Sequence, residues 1–243
     1  MVDISGLGVG TAPKAMMAHG IQTDIVEIDP AVHELAIRYF DLGKNHTPII
    51  EDAVTWTKKA VTMGVKYDYV LHDVFTGGTE PLPLFTKDFL TDLRSLVSSE
   101  GVIAINYAGD LAISPTRTVL NTIRVVFNNK CRIYRDLPSD RESGGFTNMV
   151  IFCLNPTSNP KVPIKFRRPV QNDFLNSQSR KQFLLPKEEL ALDFPTRQEM
   201  EQEEEKLLTS ENMGSFREQQ LISARRHWEI MRKVIPAVVW ENW

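Results

Sequence analysis

Between Val2 and Leu154, short runs rich in β-branched and aromatic residues alternate with helix-length stretches in which apolar residues recur every three or four positions. Strands are expected over 2–5, 23–28 (TDIVEI), 47–52 (TPIIED), 67–73 (YDYVLHD), 101–106 (GVIAIN), 131–136 (CRIYRD) and 148–154 (NMVIFCL). Helices are expected over about 11–19, 30–40, 53–63, 87–98 and 115–128. Thr86 precedes KDFLTDLRSLV as an N-cap, and Ser114 before Pro115 supplies a cap followed by proline. Strand and helix in alternation specify βαβ units, hence a mostly parallel sheet covered by helices on both faces. The last two strands flank LPSDRESGGFT, a turn-rich connection that predicts an antiparallel hairpin at the sheet edge.

After Asn155 the pattern stops. NPTSNPKVPIKFRRP is basic and proline-rich, so 155–195 reads as a linker or a strap across the surface. Residues 196–243 read as a helical C-terminal extension, acidic at Glu199, Glu201, Glu203, Glu204 and Glu205 and apolar at Leu207, Leu208, Phe216, Leu221, Trp228 and Met231. Trp240 and Trp243 at its end are costly to leave in water, and pack either on the parent domain or on a partner. The first strand, Val2–Ser5, is short for a central one, which points to a fragment or a variant without an upstream segment, or to a short strand as such.

Composition narrows the picture further. The chain has 243 residues, 42% of them hydrophobic, enough for one substantial domain with an appendage. Its net charge of −3 provides no basic field for nucleic acid or an anionic membrane. No apolar run approaches membrane-spanning length, so the expectation is a soluble protein of the cytoplasm. Cys131 and Cys153 lie far apart in strand-like stretches without metal-ligand spacing, and are expected to be reduced core thiols. No metal site is expected.

In an open parallel sheet, ligands sit beyond the carboxyl ends of the strands, near the point where strand order reverses. Four groups of residues fall at such ends. Gly6, Gly8 and Gly10 form a glycine loop after the first strand, able to turn tightly and to let a ligand approach without a Cβ in the way. Glu27 ends the second strand, 21 positions after Gly6, where a carboxylate can accept from both hydroxyls of a ribose. Asp29 follows, either as the cap of the next helix or as a ligand contact. Asp52 ends the third strand and, with Ala53, offers a carboxylate to an adenine amino group and a backbone amide to a ring nitrogen; a helix cap is the other reading. Asp73 ends the fourth strand over the cleft, while its neighbour His72 faces the opposite side, where core packing or a surface bond is expected instead of catalysis. A dinucleotide is disfavoured, because the third glycine falls at Gly10 rather than at the place held by Thr11.

GLGVGT, VEIDP, EDAVTW and YDYVLHD occur in the order and spacing found in the spermidine/spermine synthase family and its methyltransferase-like relatives, which residues 2–154 resemble. The resemblance implies a seven-stranded Rossmann-like methyltransferase fold, with residues 1–154 forming an S-adenosylmethionine-type nucleoside-binding domain. It gives the methionine part of the ligand to Gly6, Gly8 and Gly10, the ribose to Glu27, adenine to Asp52 and Ala53, and the transferring group to Asp73 as base. The departures bear on the acceptor. Val9 stands where polyamine-forming members carry the loop acid, and Thr76 where they carry a second acid after the fourth strand. The N-terminal β-domain that precedes the fold in those enzymes is also absent from this sequence.

A cation needs carboxylates as counter-charges and as a base. The expected activity is therefore group transfer from S-adenosylmethionine or decarboxylated S-adenosylmethionine, with methyl transfer ahead of aminopropyl transfer to a polyamine. Asn106, Tyr107 and a lid at 76–86 would shape the acceptor site. The partners expected are a small-molecule or protein acceptor and, as a homodimer, a second copy of the chain; nucleic acid and membrane are not expected. The rival is a catalytically silent scaffold that keeps the fold and docks a partner through its acidic tail.

Overall fold

The computed structural model describes residues 1–74, 81–136, 138, 146–155, 164–195, 207–216, 221, 224–225, 228–229, 232 and 236–240. Strands β1 (Val2–Ser5), β2 (Thr23–Glu27), β3 (Thr47–Ile50) and β4 (Tyr67–His72) alternate with helices α1 (Thr11–Ala18), α2 (Pro30–Tyr39) and α3 (Ala53–Thr62). Helix α4 (Lys87–Leu96) leads into β5 (Val97–Asp110), and α5 (Ser114–Val126) into β6 (Cys131–Arg135) and β7 (Phe146–Leu154). Beyond these lie α6 (Gln178–Phe183), β8 (Ala191–Leu192) and α7 (Ala237–Trp240).

The eight strands form one sheet in the order β3-β2-β1-β4-β5-β7-β6-β8. The first five strands pair in parallel, and β7 joins β5 and β6 antiparallel. The expected count of seven is thus corrected to eight. The hairpin is present, but β6 is not the edge, because β8 from the expected strap pairs with it through Ile133↔Leu192 and Tyr134↔Ala191.

Every residue of β1 is buried, as a central parallel strand covered on both faces must be. The main core lies where α4 and α5 pack on the sheet, with Phe89, Leu90, Leu93, Val119, Leu120 and Ile123 at its centre. Thr86 caps α4 by accepting the Phe89 N–H at 3.4 Å. At α5 the expected cap moves by one residue: the helix begins with Ser114, and Ile113 occupies the cap position.

β5 is longer than its pattern suggests. Tyr67 pairs with Val97 and Tyr69 with Val102, so the strand continues through an irregular stretch instead of beginning at Gly101. A Cβ at Gly101 would lie 2.9 Å from the Asp68 carbonyl oxygen and 2.7 Å from Val97 Cγ1, a close approach that only glycine allows.

Cys131 and Cys153 are register partners on β6 and β7 with Cα atoms 4.1 Å apart, and they form a disulfide. The expectation of reduced thiols is corrected by this register, since a separation of 22 residues says nothing about pairing until the hairpin closes. No helix among the described residues is long and apolar enough to cross a membrane.

Candidate functional site

Strand order reverses at β1 and β4, and the carboxyl ends of these strands carry the glycine loop and Asp73 side by side. The Gly6 N–H donates to the Val26 carbonyl at 3.0 Å and the Asp73 N–H to the Ser5 carbonyl at 2.9 Å, so β1, β2 and β4 extend their ladder into the loops. Gly6 takes φ +89°, and a Cβ there would sit 2.2 Å from the Asp73 carbonyl oxygen. Glycine is required at this point by conformation and space together. Gly8, at φ +51°, faces open space, and Gly10, at φ +79°, occupies the N-cap position of α1 against Leu42.

Glu27 is buried and braces this loop. Its Oε2 accepts the Leu7 N–H at 3.1 Å and its Oε1 the Asp29 N–H at 2.9 Å. Asp29 caps α2 through the Ala31 N–H at 2.8 Å, which favours the structural reading of that residue. Asp52 caps α3: its Oδ2 accepts the Thr55 N–H at 2.9 Å and the Thr55 hydroxyl at 3.0 Å. Asp73 is exposed, and its Oδ1 accepts the Asn106 Nδ2–H at 2.8 Å.

These elements enclose a cavity of about 550 Å³. Gly6, Gly8, Glu27, Asp52, Ala53 and Asp73 line it, whereas Gly10 stays buried beneath the loop. Volumes of a few hundred Å³ are those of nucleoside-sized ligands. The loop's close approach to Asp73, which a Cβ would fill, and two carboxylates at separate strand ends fit such a molecule.

The far wall is apolar, formed by Val74, Pro81, Pro83 and Leu84, with Val9 exposed on the loop opposite. Part of the expected lid therefore serves as a fixed wall: Leu82, Leu84 and Phe85 are buried in a 3₁₀ turn that leads into α4. Thr76 and the rest of that stretch up to residue 80 lie outside the described residues. The prolines of PLPLF were the sequence signal for this wall, since they favour a rigid turn over a mobile loop.

His72 is fully buried between Phe85 and Phe89, with ring centroids 5.3 and 5.4 Å away. Burial pushes its imidazole down to about 4, so at neutral pH it is an uncharged core side chain, as its strand parity predicts. Among the described residues no cluster of three or more His, Cys, Asp or Glu side chains could hold a metal.

The fold is that of a spermidine-synthase-like class I methyltransferase domain. Human methyltransferase-like protein 13, solved in complex with SAH, superposes with a TM-score of 0.55 at 22% identity over 72% of this chain and 76% of its own. A probable spermidine synthase from Corynebacterium glutamicum gives 0.55 at 18% identity, covering 63% and 55%. In sequence, the chain is 45% identical over 246 aligned residues to an N-terminal histidine N-methyltransferase of Emericella nidulans, covering 99% of this chain and 43% of that protein. It is 40% identical over 107 residues to a polyamine aminopropyltransferase of Vibrio vulnificus, covering 42% and 36%. The chain spans less than half the length of the curated relatives it matches. No protein-family model matches it.

Proposed function

We propose that this chain is the transferase domain of an S-adenosylmethionine-dependent N-methyltransferase whose acceptor is the N-terminal histidine of a protein. The observation that carries the reading is the 45% identity, across 99% of this chain, to a protein named for that reaction. The aminopropyltransferase likeness covers only 42% of the chain. Decarboxylated S-adenosylmethionine is the donor that this second reading would need.

The cleft supports the assignment of roles. Gly6 and Gly8 leave room for the methionine part of the donor, Glu27 reaches the ribose, and Asp52 with Ala53 meets the adenine. The bound donor would supply an electrophilic methyl group on a sulfonium. Asp73 then faces the acceptor imidazole and takes the proton of the ring nitrogen that is not methylated, while the Val74, Pro81 and Pro83 wall suits a flat imidazole better than a dication, which needs paired charge in a partly dry cleft. In-line displacement asks mainly for positioning, and that is what a rigid wall and a braced loop provide.

The same reading concerns the compartment. The Cys131–Cys153 disulfide favours oxidising surroundings over the cytoplasm expected from the sequence, because such bonds are rare where thiols are kept reduced.

The test is mass-detected methyl transfer to peptides that begin with histidine, compared with the same peptides beginning with alanine. The proposal predicts a gain of one methyl mass on the histidine peptides only. Equal transfer to both, or to neither, contradicts the assigned acceptor.

A further inference from the structure

Asp73 has a fixed backbone, since its N–H bonds the Ser5 carbonyl, but its side chain is exposed and would rotate freely without a partner. The register of the sheet supplies one. His72 pairs with Ile105, so the next residues along the parallel ladder, Asp73 and Asn106, stand side by side on the face opposite the His72 aromatic cluster. Asn106 Nδ2–H donates to Asp73 Oδ1 at 2.8 Å. The acceptor is a carboxylate oxygen, which settles which end of the amide faces it. The other end, Asn106 Oδ1, is buried and finds no hydrogen-bond partner among the described residues. A side chain kept for packing alone would not carry that cost, which an apolar residue avoids.

We propose that Asn106 is a positioning residue for methyl transfer, holding the Asp73 carboxylate by one oxygen so that Oδ2 is presented to the ring N–H of the acceptor imidazole. The inference rests on the function proposed above. In the step it serves, the lone pair of one ring nitrogen of the neutral imidazole forms the N–C bond as the S–C bond breaks, the electron pair of the latter stays on sulfur, and the imidazolium so formed gives the proton of its other ring nitrogen to Asp73 Oδ2. A carboxylate free to swing would spend much of its time out of line for that transfer, and misplacement by about 1 Å costs on the order of 100-fold in rate.

Two variants test it together. Asn106→Asp keeps the shape and loses the N–H donor. Asn106→Ala loses the donor without adding charge, and it also removes the unpaired buried oxygen, so it is expected to fold at least as well as the parent. With S-adenosylmethionine and a peptide beginning with histidine, both variants should lose about 10- to 100-fold in kcat. The peptide KM should stay within about threefold of the parent, and donor affinity by calorimetry should be unchanged. Full kcat in Asn106→Ala overturns the inference, as does a loss confined to KM. A parent that methylates no such peptide overturns the proposed function and this inference with it, whereas an active parent with unaffected variants overturns this inference alone.

Discussion

Glu27 uses one carboxylate for two backbone amides, those of Leu7 and Asp29, at the same place where a ribose would seek hydrogen bonds. Removing it therefore affects loop and ligand together. Glu27→Ala should weaken S-adenosylmethionine binding by at least tenfold, because charged hydrogen bonds are worth roughly 1.5–3 kcal/mol each, and should also lower the thermal midpoint of the ligand-free protein. Titration calorimetry and thermal melts check both, and an unchanged Kd contradicts the ribose role.

Gly6 is constrained more tightly, by a positive φ and the neighbouring carbonyl of Asp73. Gly6→Ala should abolish donor binding and destabilise the domain by a few kcal/mol, read by the same two measurements.

Asp3 belongs to a different part of the molecule, buried on β1 beside its register partner Asp24 on β2. Burial, and then the Asp24 charge, push its carboxyl up to about 7. A carboxyl raised in the folded state binds a proton that the unfolded chain releases near 4, so its stabilising share is complete below about pH 4 and lost as pH rises to about 7. Asp3→Asn should lack that decline, making the variant more stable than the parent at pH 8 and narrowing the gap at pH 5 in urea titrations. Parallel curves at both pH values would contradict the assignment.

At the scale of elements, alternation and caps were legible wherever local chemistry decides structure. The glycine loop, the Glu27 strand end, and the caps at Asp29, Asp52 and Thr86 all follow from residues close in sequence. What escaped depends on register. The disulfide exists because Cys131 faces Cys153 across a hairpin, and β8 exists because a distant dipeptide reaches the free side of β6. Reducing the disulfide, or replacing it by Cys131→Ser with Cys153→Ser, should lower stability by up to about 3 kcal/mol on the loop-entropy account; identical melts with and without reductant would argue against a formed bond.

Within 207–216, part of the stretch expected to be helical, Met213–Phe216 forms a 3₁₀ turn, while Leu208 lies buried outside any helix or strand and bonds both α4 and α5. Its carbonyl accepts the Lys87 N–H at 2.8 Å and its N–H donates to Thr122 Oγ1 at 2.8 Å. Leu208→Ala should cost about 2–5 kcal/mol, as for a core leucine. A cost below about 0.5 kcal/mol in urea titrations would show the segment to be an ornament of the surface.

For the molecule as a whole, sheet order places one cleft at the β1–β4 reversal, and the same order sets what surrounds it. The lining of the cleft by the glycine loop and the strand-end acids was legible because these residues are spaced by the fold. The apolar wall was legible only as a rigid proline turn, since its place beside the cleft is set by the fold, and the Asn106–Asp73 contact was not legible, because it depends on the register of two strands.

In the proposed function this cleft transfers a methyl group to an N-terminal histidine and does not form polyamines. Parallel incubations, followed by mass spectrometry, of S-adenosylmethionine with a histidine-initiated peptide and of decarboxylated S-adenosylmethionine with putrescine decide between the two reactions. A methylated peptide and no spermidine are expected; spermidine formed at a rate equal to or above peptide methylation would overturn the proposed function.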